Sequence, residues 1–184
     1  MTRVLVPFTE GVEEIEFVAV IDILKRAGIE AVMASLDGKP VTGRSGITIS
    51  SDTNLADVID ETWDMVVLPG GLPNAYLLRD DPNVKSVVQR MRNERKSIAA
   101  ICAAPTALAA FGIIDNRCVT SYPGMKAEIQ ELSPSVVYVD DAVVEDDFLI
   151  TSRGAGTAVE FALRLVAKLS GEEKSTEVRH SIIA

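Results

Sequence analysis

Short apolar runs alternate with longer helical patterns along almost the whole of this 184-residue sequence. The apolar runs are nearly continuous in valine, isoleucine and leucine, so each predicted strand should be buried on both faces, as in a parallel sheet covered by helices. Strands are predicted at Val4–Phe8, Ala31–Leu36, Met65–Leu68, Ser97–Ile101, Cys118–Ser121 and Leu149–Ser152. Helices are predicted over Glu13–Ala27, Pro82–Arg95, Pro105–Phe111, Gly124–Glu131 and Gly156–Leu169.

This alternation predicts an α/β fold: a flavodoxin-like, doubly wound, mostly parallel sheet sandwiched by helices. Two further segments, Ile47–Ser50 and Val136–Asp140, are predicted as additional strands, for which antiparallel pairing is one option. The sequence has no repeat and no low-complexity linker, so residues 1–184 are predicted to form one domain. In such sheets ligands bind beyond the carboxyl ends of the strands, where the chain has Thr9-Glu10-Gly11, Pro69-Gly70-Gly71 and Cys102-Ala103.

Charge and cysteine content narrow the possible partners and the compartment. The net charge of −9 argues against a dedicated nucleic-acid or anionic-membrane surface, since both repel an acidic protein. No apolar run is long enough to span a bilayer, and the first residues lead into a predicted strand without a signal region. Two cysteines are too few for a disulfide framework. These features predict a cytoplasmic protein.

The stretch AAICAAPTALAA, residues 99–110, places Cys102 between a buried strand and a helix that begins at Pro105. Proline suits the first helical turn, where its missing N–H is not needed. Cys102 would therefore lie in a tight strand-to-helix turn, which is how nucleophile elbows present a reactive side chain. The alternative is a buried structural cysteine, because free cysteine is among the most buried residue types. Cys118, inside another predicted strand, fits that structural reading.

The segment GVEEIEFVAVIDILKRAG, residues 11–28, places a carboxylate on an apolar helix face. Glu16 falls one turn before an apolar stripe formed by Val20, Ile23, Leu24 and Ala27. Burial there would push Glu16 toward its neutral form, which is a reason to consider it functional. The alternative is an acid at a solvated helix start, where it favours the helix dipole, and Glu13 and Glu14 fit that description.

The remaining candidates are less specific. Gly70 and Gly71 end a predicted strand and could aim backbone N–H groups at an oxyanion, although a simple turn would also use them. TSRGAGTA, residues 151–158, is interpreted as a turn and helix start because it does not open a βαβ unit. Arg153 within it could hold an acid near the site or lie on the surface. His180, the only histidine, is expected on the surface, and no Cys/His cluster suggests a metal site.

Taken together, GVEEIE, VVLPGG, AAICAAP and TSRGAGTA occur in an order and at separations that resemble one known family. Over nearly its whole length the chain resembles the ThiJ/PfpI superfamily, in the branch of the Parkinson disease protein deglycase and its bacterial homologues. The resemblance implies a flavodoxin-like sandwich and a homodimer. It implies that Cys102 is the reactive cysteine, that Glu16 hydrogen-bonds its sulfur, and that Gly70 and Gly71 form the turn beside it.

The family's activities imply a cofactor-independent enzyme that converts glyoxal or methylglyoxal to hydroxy acids, or repairs early glycation adducts. Glu16 would lower the thiol pKa of Cys102 and shuttle a proton, and backbone groups of Gly70, Gly71 and Ala103 would hold an oxyanion. The second hypothesis is an oxidation sensor or stress chaperone that uses the same cysteine with little turnover.

Two departures from family patterns refine the expectation. Many members carry Thr-His-Pro where this chain has Ser121-Tyr122-Pro123, so Tyr122 is expected to line the pocket without replacing the histidine as a base. Ala103 follows the cysteine where the protease-like branch has a histidine, which argues against a peptidase. A glutamine amidotransferase would need a downstream His-x-Glu, which is missing.

Overall fold

The computed structural model describes all 184 residues and centres on one seven-stranded sheet. Six of its strands run parallel, and only the edge strand β10 is antiparallel to its neighbour. The strands of the whole chain are β1 Arg3–Phe8, β2 Glu30–Ser35, β3 Val41–Thr42, β4 Thr48–Ile49, β5 Thr53–Asn54, β6 Met65–Leu68, β7 Ser97–Ile101, β8 Cys118–Val119, β9 Val137–Tyr138, β10 Val143–Asp146 and β11 Leu149–Ser152.

Helices cover both faces of the sheet, as the doubly wound pattern predicts. They are α1 Glu14–Arg26, α2 Leu55–Val58, α3 Asn74–Asp80, α4 Pro82–Asn93, α5 Pro105–Ala110, α6 Lys126–Leu132, α7 Ala158–Ser170 and α8 Glu172–Ser181. One buried apolar cluster joins α1, α7 and α8 to the sheet, and a second joins α2 through α6 to its other face. None of the eight helices combines the length and the apolar composition needed to cross a bilayer.

The strand order β10-β11-β7-β6-β1-β2-β5 places the topological switch point between β1 and β6. From β1 the chain first builds outward through β2 and β5, and then crosses to β6 on the other side of β1. Connections that leave two adjacent strands in opposite directions open a crevice at their carboxyl ends. The segments after β1, β6 and β7 therefore meet at one edge of the sheet, as the sequence predicts.

Several sequence-based boundaries need correction. The predicted strand Cys118–Ser121 is reduced to β8, which lies outside the main sheet and pairs with β9. That pairing is parallel, whereas the pairing of β4 with β3 is antiparallel. Periodicity did not reveal α2, α3, α8 or the antiparallel strand β10. Residues 143–146 carry the acids of a surface strand, and α8 is strongly polar, so neither has the continuous apolar run that identified the inner strands.

Candidate active site

Cys102 lies at the end of β7 in a left-handed backbone conformation, with φ of +63°. That conformation is unfavourable for a residue with a side chain and persists only where the surroundings enforce it. Here the Cys102 N–H donates to the carbonyl of Ser152 at 3.0 Å, and its carbonyl accepts the Tyr122 N–H at 2.8 Å. Helix α5 starts three residues later at Pro105. The predicted strand-to-helix elbow is confirmed, with Cys102 half-buried at its tip.

Glu16 lies in the first turn of α1 and is fully buried. Its Oε2 accepts the Gly70 N–H at 3.0 Å, and its Oε1 is buried without a hydrogen-bond partner among the surrounding oxygen and nitrogen atoms. The Cys102 sulfur lies against this carboxyl, and both groups border the same point beside Gly154. Glu13 fixes the start of α1, because its side chain accepts the Glu16 N–H at 2.8 Å. The solvated helix start considered for Glu13 and Glu14 is wrong, since both are buried.

The glycine turn after β6 presses directly on this pair. A Cβ added to Gly70 would lie 2.4 Å from Glu16 Oε2 and 2.5 Å from Cys102 Cβ. Gly71 has φ of +91°, and a Cβ there would lie 2.3 Å from the Gly11 carbonyl oxygen. Only glycine permits this approach.

The backbone N–H groups of Gly70, Gly71 and Ala103 do not all serve an oxyanion, although the sequence predicts that they do. The Gly70 N–H is occupied by Glu16, so Gly70 is not a free oxyanion donor. The N–H groups of Gly71 and Ala103 instead lie where they lower the pKa of the Cys102 thiol. These two remaining donors are the ones available to a negative charge that forms next to the sulfur.

The two titratable groups influence each other strongly. Burial raises the pKa of Glu16 to about 7, and the nearby Glu13 charge acts in the same direction. Burial also raises the pKa of the Cys102 thiol to about 12, and the Glu16 carboxylate adds to the increase. The expected low thiol pKa is therefore not obtained while Glu16 is ionised. Such a pair loses its two protons in two steps, and the apparent pKa of each step belongs to the pair. After the first proton has left, the position of the remaining proton decides which group is charged.

A cavity of about 550 Å³ opens above the pair. Tyr122 and Arg153 line it, as predicted, and a smaller cavity beside it, of about 220 Å³, is lined by Gly71, Ala103 and Tyr122. Tyr122 is 53% exposed. Arg153 donates from Nη1 to the Asp140 carbonyl at 3.0 Å.

Sequence reasoning missed four contributors to this site. Arg44, between β3 and β4, lines both cavities, and its positive charge favours ionised Glu16. Gly154 and Thr157 form the wall opposite the sulfur, where the Thr157 hydroxyl donates to the Gly154 carbonyl at 2.9 Å. Asn74 lies beneath the glycine turn. An exposed arginine in a hairpin and an asparagine in an unpredicted helix give no periodic signal, so only the fold brings them here.

Other candidates lie elsewhere. His180 is exposed on α8 and does not line the cavity. Cys118 is half-buried in β8, where burial and Asp146 raise its pKa. No group of three or more histidine, cysteine, aspartate or glutamate side chains is arranged to hold a metal ion.

Comparisons with known proteins agree with this geometry. Residues 2–168 match the model of the DJ-1/PfpI family. The chain is 42% identical over 181 residues to protein dj-1beta of Drosophila melanogaster, which covers 97% of this chain and 95% of that protein. It is 38% identical over 169 residues to the glutathione-independent glyoxalase DJR-1.2 of Caenorhabditis elegans, covering 92% and 89% of the two chains.

A solved structure shows the same fold. The crystal structure of Drosophila melanogaster DJ-1beta superposes with a TM-score of 0.95 at 41% identity, covering 100% of this chain and 98% of that one. With the elbow, the buried glutamate and the glycine turn in place along the matched residues, the chain belongs to the DJ-1/PfpI family.

Proposed function

We propose that this protein is a cofactor-independent enzyme that converts glyoxal and methylglyoxal to 2-hydroxy acids through Cys102, and that early glycation adducts enter the same site. The observation that carries the proposal is the pairing of the Cys102 sulfur with a fully buried carboxyl whose pKa is raised to about 7. A carboxyl with that pKa can both give and take a proton at neutral pH. The relative named a glutathione-independent glyoxalase supports the same reaction class.

The first step is attack of the Cys102 thiolate on the aldehyde carbon of the dicarbonyl. A carbon–sulfur bond forms, and the carbonyl electron pair moves to oxygen, where the N–H groups of Gly71 and Ala103 can hold it. Glu16 gives its proton to this oxygen and produces a hemithioacetal.

The ionised Glu16 then takes the hydrogen of the former aldehyde carbon as a proton, and the electron pair of that C–H bond forms an enediolate with the neighbouring carbonyl. Glu16 returns the proton to the neighbouring carbon, while the hydroxyl proton of the first carbon passes to the oxygen of the second. This transfer oxidises the first carbon to a thioester and reduces the second to an alcohol, so no external oxidant is needed. Water then cleaves the thioester, releasing the 2-hydroxy acid and restoring the thiol. The sum is addition of one water to the dicarbonyl.

The reactive form of the pair is the one in which Glu16 keeps the shared proton. In that form the repulsion between the carboxylate and the sulfur disappears, and the carboxyl O–H stabilises the thiolate. The raised pKa of Glu16 keeps the carboxyl protonated up to about neutral pH, and a protonated carboxyl no longer raises the pKa of the thiol by its charge. A thiolate near the sulfur-facing N–H groups is the nucleophile that the first step requires.

The test is formation of lactate from methylglyoxal by metal-free protein. We expect turnover by the wild type and by Cys118→Ser, and none by Cys102→Ser. Because both substitutions replace a half-buried thiol by a hydroxyl, Cys118→Ser is a matched control for handling and stability. Absence of turnover in the wild type, or its persistence in Cys102→Ser, would overturn the proposal.

A second candidate function, an oxidation sensor, is favoured by the surroundings of the same sulfur. The Gly71 and Ala103 N–H groups and the O–H of a protonated Glu16 can donate to the oxygens of a sulfinate formed at this sulfur. After mild peroxide treatment, mass spectrometry should find sulfenic or sulfinic acid mainly at Cys102. Preferential oxidation of Cys118 would count against this candidate and against the assignment of Cys102 as the reactive thiol.

A further inference from the structure

Asn74 is a fully buried amide in the floor of the site, and all of its hydrogen-bonding groups are used. Its Nδ2 donates to the carbonyl of Pro69 at 2.8 Å and to the carbonyl of Gly70 at 3.0 Å. Its Oδ1 accepts the N–H of Thr9 at 2.8 Å. One side chain therefore joins the ends of β1 and β6 at the topological switch point.

These hydrogen bonds do not cap or stabilise α3, the helix in which Asn74 lies. Asn74 is the first residue of α3, and the residue before it, Pro73, provides no side-chain cap. The amide points back under the turn instead, toward carbonyls four and five residues earlier. Its function must be sought in the turn that it holds.

The orientation of two successive peptide groups is what the amide fixes. The Pro69 carbonyl, which shares a peptide group with the Gly70 N–H, accepts from Asn74 at 2.8 Å. The Gly70 carbonyl, which shares a peptide group with the Gly71 N–H, accepts from Asn74 and from the Glu13 N–H at 3.1 Å. With both carbonyls held, the Gly70 N–H points to Glu16 Oε2 at 3.0 Å, and the Gly71 N–H lies where it lowers the pKa of the Cys102 thiol. A rotation of either peptide group would move its N–H away from the side chain that it stabilises.

We infer that Asn74 is a positioning residue, which aims the Gly70 N–H at Glu16 through its bond to the Pro69 carbonyl and the Gly71 N–H at Cys102 through its bond to the Gly70 carbonyl. The catalytic part of this inference rests on the proposed function. The effect of Asn74 on the Cys102 thiol, however, can be measured whether or not the protein turns over a substrate. Both N–H groups stabilise the charged form of the side chain that they face, so they lower the pKa of Glu16 and of Cys102. Loss of the amide should therefore raise both values.

The other charged or titratable side chains around the pair are Glu13, Arg44, Tyr122 and Arg153. None of them receives a hydrogen bond from Asn74. A shift in the pKa values of Glu16 and Cys102 in an Asn74 variant would therefore reflect a change in the glycine turn.

The test is the pH dependence of Cys102 alkylation by iodoacetamide, measured in a Cys118→Ser background so that only one thiol reacts. We expect the midpoint of the rate profile to rise by about half to one pH unit in Asn74→Ala, since roughly one hydrogen bond to each charged form is weakened. In the same variant, kcat for methylglyoxal should fall while KM stays nearly constant. Asn74→Ser, which keeps a shorter polar group, should show a smaller shift in the same direction.

The matched control is Leu78→Ala, which also removes a fully buried side chain from α3, but one without a polar group that could hold the turn. Melting temperatures of all variants are measured alongside.

A midpoint of the alkylation profile that moves in Asn74→Ala but not in Leu78→Ala supports positioning. Equal midpoints in Asn74→Ala and the wild type, or equal shifts in the alanine variants of Asn74 and Leu78, would overturn it. If Asn74→Ala does not fold, Asn74→Ser against Leu78→Ala decides by the same criteria. A wild type without turnover would refute the proposed function and leave the alkylation result valid.

Discussion

Individual residues at the site are held in states that an isolated amino acid would avoid. The positive φ of Cys102 costs on the order of 1–3 kcal/mol, and the Glu16 carboxyl is buried with one oxygen unpartnered. Hydrogen bonds to Ser152 and Tyr122 hold the strained backbone, and Gly70 holds the other carboxyl oxygen. The surroundings therefore fix these two side chains before a substrate arrives, which is a general requirement of an efficient site.

Replacement of Glu16 by glutamine tests where the shared proton lies. Glutamine keeps an N–H donor but is a weaker donor than a protonated carboxyl, so we expect the apparent pKa of Cys102 to rise. Turnover should fall by roughly 10²–10⁴-fold because glutamine cannot shuttle a proton. Thiolate absorbance against pH measures the first effect. A lowered thiol pKa would mean that the substitution had removed a negative charge, and hence that Glu16 is the ionised member of the pair.

Removal of the Tyr122 hydroxyl tests whether this residue has any part in the chemistry. The side chain is 53% exposed at the cavity mouth, and a phenol with a pKa near 10 is a poor base at neutral pH. We expect Tyr122→Phe to keep most of the wild-type kcat/KM for methylglyoxal. A loss as large as that of Cys102→Ser would show that the hydroxyl is catalytic.

At the scale of structural elements, the site depends on how closely the turn after β6 approaches the elbow after β7. The two strands are adjacent and parallel, so their carboxyl ends meet, and the glycine backbone fills the remaining space. Helix α1 enters the same space from β1 and delivers Glu16 in its first turn. Three chain segments thus share a volume in which no extra side chain fits.

Gly70→Ala should therefore disable the site. The added methyl would lie 2.4 Å from Glu16 Oε2 and 2.5 Å from Cys102 Cβ, so the carboxyl or the elbow must move. We expect loss of Cys102-dependent activity and a destabilisation of about 1–3 kcal/mol, measured by denaturant unfolding. Gly156→Ala is the control, because a Cβ at Gly156 meets nothing within 4 Å although the residue lines the same cavity. Equal behaviour of the two variants would contradict the packing argument.

At the scale of the whole molecule, burial of Glu16 links stability to pH. The ordinary carboxyl pKa of 4.5 is raised to about 7 in the folded protein, so between these values the folded state holds a proton that the unfolded chain has lost. Stability falls as pH rises wherever the folded state binds more protons. The contribution of Glu16 is fully present below pH 4.5 and is lost as pH rises toward 7.

The free energy of unfolding of the wild type should decrease relative to that of Glu16→Gln by roughly 3 kcal/mol across this interval. Denaturant unfolding of both proteins at about pH 5 and about pH 8 measures the difference. The comparison is made against the variant because other carboxyls, such as Asp64, have pKa values that are lowered in the fold and act in the opposite direction. Parallel pH profiles of the two proteins would show that Glu16 does not change its charge in this range.

We also propose that the molecule assembles as a homodimer through α1. Ile15, Val18 and Ile47 are 59%, 51% and 58% exposed, and the Ile47 N–H lies 3.4 Å from Glu14 Oε1, which places the hairpin beside α1. Phe17 and Ile21, the other large apolar residues of α1 outside the Glu16 stripe, are buried in the core and do not contribute to this surface. Two-fold pairing of one apolar patch is the commonest closed symmetry.

Light scattering at micromolar concentration should return twice the mass of one chain for the wild type and one chain mass for Val18→Glu. Leu132→Glu is the control, since Leu132 is 42% exposed on α6, which packs against the opposite face of the sheet. A monomeric wild type, or a dimer that survives in Val18→Glu, would contradict an interface at this patch.

The sequence by itself determined the inner sheet and singled out Cys102 and Glu16. The continuous apolar runs of β1, β2, β6, β7 and β11 can be buried only in a helix-covered parallel sheet, which fixes the fold class. Cys102 and Glu16 could be found because each interrupts a local apolar pattern, and an interruption of that kind is visible without coordinates. The sequence also shows that Gly70 and Gly71 follow a strand, but it does not show to which groups their N–H groups donate.

The tertiary structure alone decided which groups meet and which form is charged. The bond from the Gly70 N–H to Glu16 joins residues 54 positions apart, and Asn74 under the turn also accepts from Thr9, 65 positions away. Arg44 acts on Glu16 from 28 positions along the chain. The raised pKa values also follow from burial, which local sequence does not specify. Periodicity records whether a side chain faces the core, but the distances that govern hydrogen bonds and charge are set only when separate segments pack together.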